Sequence, residues 1–116
     1  MSQRGGKRPG AGRPRGDAKK IDFYLQPELD QEARRAAATM ALSDWVRGAA
    51  VAQLQLQEQA GAMEWPREPP VGRACRVPLW LDRSLWESLR RAAAAAGLDL
   101  GAWIRRAMRR AIDANR

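Results

Sequence analysis

A Trp, a β-branched aliphatic and an Arg occur twice in the same order, in SDWVRGAAVA at residues 43 to 52 and in GAWIRRAMRR at residues 101 to 110, an offset of 58. The segments before them repeat as well, at an offset of 56 that matches Leu25 to Leu81 and Leu29 to Leu85. The slip of two falls near Ala95, Ala96 and Gly97, in a turn where insertions cost little. Duplication within 116 residues leaves few options. Each copy is too small for a core of its own, so the two must share one.

Each copy spells a strand and two helices. In IDFYL, Ile21, Phe23 and Leu25 alternate with Asp22 and Tyr24, a period of two. Pro27 then suits the first turn of a helix, Glu28, Asp30 and Glu32 sit at its positive end, and Leu29, Ala33, Ala36, Ala37 and Met40 recur at helical spacing up to Ala41. Ser43 is placed to cap a second helix with Trp45, Val46, Ala49, Ala50 and Leu54 on one face, fading into QLQLQEQ. The Pro/Gly-containing GAMEWPREPPVG reads as a connector, after which the pattern restarts. Val77, Leu79 and Leu81 alternate with Arg76, Pro78 and Trp80. Asp82 can cap a helix carrying Leu85, Leu89, Ala92, Ala93 and Ala96, which Gly97 stops. The last helix has Trp103, Ile104, Ala107, Met108, Ala111 and Ile112 on one face and Arg105, Arg106, Arg109 and Arg110 on the other.

A lone strand with unpaired backbone groups needs an antiparallel partner, and the other copy supplies it. Pairing residues 20 to 26 with residues 75 to 81 turns Ile21, Phe23, Leu25, Val77, Leu79 and Leu81 onto four helices. It lifts Lys20, Asp22, Tyr24, Arg76, Pro78 and Trp80 to the opposite face, with Tyr24 and Trp80 between Lys20 and Arg76. The expected fold is mostly α with a short two-stranded antiparallel ribbon, in the order β-α-α-linker-β-α-α. Residues 1 to 18 form a disordered basic arm, 19 to 59 the first unit, 60 to 72 the linker and 73 to 116 the second unit, with 19 to 116 one pseudo-twofold domain. A ribbon exposing six side chains has the dimensions to enter a DNA major groove.

Charge points the same way. Residues 1 to 20 hold seven Lys/Arg against Asp17, residues 21 to 59 three basic against six acidic side chains, and residues 73 to 116 ten Arg against four acids. A basic arm and a basic second half flanking an acidic first half imply a polyanionic partner, nucleic acid before membrane. With no His and one Cys, Cys75, the chain cannot build a Cys/His zinc site, a His-based catalytic triad or an internal disulfide. No cofactor, no metal and no enzymatic activity are expected, since the acids are scattered and nothing pairs them in a cleft. No apolar run follows the N-terminal charges, so neither signal peptide nor membrane span is expected, and the expected location is cytoplasmic.

With RVPLWLDRSLWESLRRAAAAAGLDLGAWIRRAMRRAI as its most specific part, the sequence resembles the ribbon-helix-helix family of the Arc and methionine repressors, over residues 19 to 58 and again over 73 to 114. Such proteins usually assemble the fold from two chains. The resemblance implies that Lys20, Asp22, Tyr24, Arg76, Pro78 and Trp80 read bases, while the N-termini of the second helices, at Ser43 and Asp44 and at Gly101 and Ala102, clamp phosphate together with Arg105 and Arg109. It also implies a bacterial, plasmid or phage setting, with the protein on the nucleoid when bound.

In the arm, AGRPRG contains the Gly-Arg-Pro core of an AT-hook, with Ala11 in place of the usual preceding Arg. Arg8, Arg13, Pro14 and Arg15 are therefore candidates for a narrow A·T minor groove, with plain phosphate attraction or a solubilising tail as the alternatives. Three functional classes follow. One is a sequence-specific repressor, regulating its own operon. Another is a relaxosome accessory protein at a plasmid transfer origin, with a relaxase as partner. The third is a protein-interaction module using the ribbon face. A second copy on an adjacent site is a further partner to consider.

Overall fold

The computed structural model describes residues 18–60, 68–71 and 74–114. Its elements run β1 (Ala18–Leu25), α1 (Pro27–Ala37), α2 (Leu42–Ala60), β2 (Cys75–Asp82), α3 (Arg83–Ala95) and α4 (Leu100–Ala114). The described chain is thus mostly helical around one two-stranded antiparallel sheet. None of its described helices is long and apolar enough to cross a membrane.

The period-two pattern sets the sheet. Phe23, Leu25, Val77, Leu79 and Leu81 are buried on one face, where Val46, Leu89, Trp103, Ile104 and Met108 join them in a single core. Facing pairs include Lys20 with Trp80, Asp22 with Pro78 and Tyr24 with Arg76. Asp22 and Pro78 are also 56 positions apart, so equivalent residues of the two copies meet at this pair alone. Lys20–Trp80 and Arg76–Tyr24 become two equivalent couples about that centre, the reciprocal contact pattern of a twofold axis. Tyr24 and Trp80 therefore do not lie between the two cations; Asp22 and Pro78 do.

Pro78 has no N–H, which suits a pair that exchanges no ladder hydrogen bonds. By the alternation of an antiparallel ladder, the carbonyls of Tyr24 and Trp80 then point off the ribbon's edges. Each accepts from an Arg one turn into a second helix: Arg105 Nη1 donates to Tyr24 O at 2.9 Å, and Arg47 Nη2 to Trp80 O at 2.9 Å. Arg47 and Arg105 are 58 apart, so the two copies fasten α2 and α4 to the ribbon in the same way.

Helix boundaries depart from the sequence expectation in three places. Helix α1 stops at Ala37, because Ala38 takes φ 56, and this leaves Met40 beyond the helix and 53% exposed, while Ala36 is exposed on the outer face of α1. Helix α2 begins at Leu42, and Trp45 N donates to Ala41 O, so Ser43 lies within the first turn and is not its cap. The same helix does not fade in QLQLQEQ but continues to Ala60. There Gln57 receives the Trp103 indole N–H at 3.0 Å and donates to Ala92 O at 3.0 Å, joining α2 to α3 and α4. Elsewhere the local signals hold. Asp82 caps α3 by accepting from Leu85 N, and Gly97, at φ 73, closes its far end with the paired bonds Leu98 N to Ala93 O and Gly97 N to Ala94 O.

Candidate nucleic-acid interface

The outward face of the ribbon carries six exposed side chains: Lys20, Asp22, Tyr24, Arg76, Pro78 and Trp80. Tyr24 is 48% and Trp80 45% exposed, large values for aromatic rings beside a core. None of the six side chains makes a hydrogen bond or ion pair with another described residue. The sheet thus presents one cation–aromatic couple at each end, about 13 Å apart along the strand by the rise of extended chain, with the two cations on a diagonal and a carboxylate and a proline in the middle.

Lys19 belongs to the other face. Its ammonium sits 4.9 Å from the centre of the Trp86 ring, while the Arg90 guanidinium lies 4.8 Å from the same ring. This stack ties the start of β1 to α3 and leaves Lys20 as the outward cation at that end.

The two second-helix N-termini differ. At α4, Asp99 Oδ1 accepts from Ala102 N at 2.7 Å, so a carboxylate already occupies the position where Gly101 and Ala102 were expected to hold phosphate. A Cβ on Gly101 would meet Phe23 Cβ at 3.6 Å and Arg105 Nη1 at 3.5 Å, which shows how close this terminus lies to the ribbon. At α2 the residue equivalent to Asp99 is Ala41, which has no side-chain acceptor, so the first-turn amides around Ser43 and Asp44 receive no such cap. The Asp44 carboxylate there pairs with Arg47 at 2.8 Å.

The arginines of α4 are not a free solvent face. Arg105 is only 9% exposed, and it grips Glu68 with two bonds, Nε to Oε2 at 2.7 Å and Nη2 to Oε1 at 3.0 Å, while Nη1 holds Tyr24 O. Arg106 approaches the same carboxylate at 3.7 Å. Burial pushes the Glu68 carboxyl up, but the hydrogen bonds and charge of Arg105, the Gln26 amide and the Arg106 charge outweigh it and hold the group below its ordinary 4.5. Arg105, expected among the phosphate contacts, is thus committed within the fold. Arg109 is half-buried and has no ion pair among the described residues. The arm residues Arg8, Arg13, Pro14 and Arg15 lie outside the described residues.

Comparison with protein-family models, curated proteins and solved structures finds no match. The candidate interface therefore rests on its own geometry. Sequence reasoning missed Asp99, although an Asp just before an apolar periodic run is a cap signature, and it missed Glu68, for which no local pattern exists.

Proposed function

We propose that the chain is a sequence-specific double-stranded DNA-binding protein, two ribbon-helix-helix units in tandem, acting as a transcriptional repressor or autoregulator in the bacterial cytoplasm. The observation that carries this reading is the ribbon's outward face, where Lys20 and Arg76 stand on opposite strands, exposed and with no partner among the described residues. A guanidinium can donate two bonds to O6 and N7 of guanine, and a two-stranded ribbon fits the major groove. Further support comes from the reciprocal pairing about Asp22 and Pro78 and from the matching clips of Arg47 and Arg105, which hold the two halves in equivalent attitudes to the ribbon. Of the two helix N-termini, the one at α2 is the better phosphate clamp, since Asp99 takes up the other.

Selection from a random duplex library, followed by titration of the enriched sequence against random DNA at fixed salt, tests the reading. Wild-type protein enriches a motif, and Arg76→Ala lowers affinity for it by roughly fivefold to a hundredfold while affecting random DNA much less. Equal loss on both, or no motif at all, overturns it. The exposed Tyr24 and Trp80 favour one second reading, a protein-binding face. It takes over if Trp80→Ala abolishes capture of a protein partner and leaves DNA untouched.

A further inference from the structure

On the ribbon's outward face, the central pair is where the two copies differ in chemical class. About the Asp22–Pro78 pair, the flanking couples are alike, each a cation facing an aromatic ring: Lys20 with Trp80, Arg76 with Tyr24. At the centre itself one strand has a carboxylate and the other an imino acid with neither side-chain donor nor acceptor. A ribbon made from two identical chains cannot do this, because its central pair must be the same residue twice.

We infer that the DNA site of this protein has a polarity set by Asp22, the inference resting on the DNA-binding reading above. The two outer couples face half-sites of similar sequence in inverted order, whereas the middle of the site is asymmetric. Asp22 is exposed, and its carboxylate has no partner among the described residues. An anion at the centre of a DNA-binding face repels phosphate and is tolerated there only when it receives a hydrogen bond. Of the two amino donors in the major groove, cytosine N4 is the usual partner of a carboxylate, because adenine N6 stands beside the acceptor N7. Pro78 reads nothing by hydrogen bonding on the other side of the centre. The two strands of the target are therefore distinguished, and the protein lies on its site in one orientation.

The test is duplex selection with the full chain, carried out in parallel for wild type, Asp22→Asn and Pro78→Asp. Wild type returns an inverted repeat with cytosine preferred on one side of the centre, and inverting the central base pairs weakens binding by about tenfold. Asp22→Asn keeps the flanking half-sites and moves the central preference from cytosine to adenine, because an amide pairs with N6 and N7 of adenine. Pro78→Asp makes the centre symmetric. A wild-type motif with a symmetric centre, or a central preference unchanged in Asp22→Asn, overturns the inference while leaving DNA binding intact. Failure to select any motif is a different result, and it removes the DNA-binding reading itself.

Discussion

Both copies end their first helices on a residue at positive φ, but not on the same kind of residue. The second copy turns on Gly97, which takes φ 73 without cost, whereas the first turns on Ala38 at φ 56. With ψ at −112, Ala38 lies in a region that L-residues rarely occupy, which costs about 1–3 kcal/mol, part of which a glycine gives back through its looser unfolded chain. Ala38→Gly is accordingly expected to stabilise the protein by about 0.5–1 kcal/mol, and a urea midpoint that falls instead would rule out strain at this turn. Arg105 departs from the pattern of its own helix. It follows Trp103 and Ile104 and precedes Arg106 in a periodic helix, so the pattern puts it on the basic side. Its guanidinium is instead drawn inward by two acceptors, Tyr24 O and Glu68, that come from distant parts of the chain. The six outward ribbon positions, by contrast, follow directly from period-two alternation and were legible residue by residue.

Among the elements, both strands and all four helices were legible from their periods, whereas the helix limits at Ala37, Leu42 and Ala60 were not. Gln53, 1% exposed, and Gln57 read as polar residues of a fading helix, yet the one is buried and the other bridges three helices. The connector was legible only as a break. Its residues 68–71 are fastened at Glu68 by Arg105 and at Pro69 O by Gln26 Nε2, 3.0 Å away. Glu68→Gln removes the charge of a pair whose side chains are 10% and 11% exposed, and a loss of about 1–3 kcal/mol is expected. Because the folded carboxyl lies below its ordinary 4.5, its contribution is complete above that pH and disappears as pH falls through the folded value. Unfolding curves of wild type and Glu68→Gln should therefore differ by a constant amount at pH 6 to 8 and converge in acid. A gap that stays constant below pH 4 would show that the carboxylate charge is not what holds the connector.

The ribbon closes within one chain, β1 on β2, with both α2 and α4 beneath it. Thermal midpoints are expected to stay fixed over a hundredfold range of protein concentration, and a rise with concentration would mean that strands pair between chains. On the DNA-binding reading, deletion of residues 1 to 17 removes Arg4, Lys7, Arg8, Arg13 and Arg15, and it should flatten the slope of log affinity against log salt by up to ~0.9 for each phosphate no longer neutralised. An unchanged slope assigns the arm no role on the duplex. On the same reading, one covalent chain also changes how activity responds to gene dosage. Where a ribbon needs two chains, dilution below the dimer constant removes it, and the active form falls as the square of copy number. Here the second strand travels with the first at an effective concentration set by the connector, so the paired ribbon scales with the first power of copy number. Each half is also free to drift: a substitution in β1 appears once in the ribbon, not twice, and on the DNA-binding reading new specificities can be reached one side at a time.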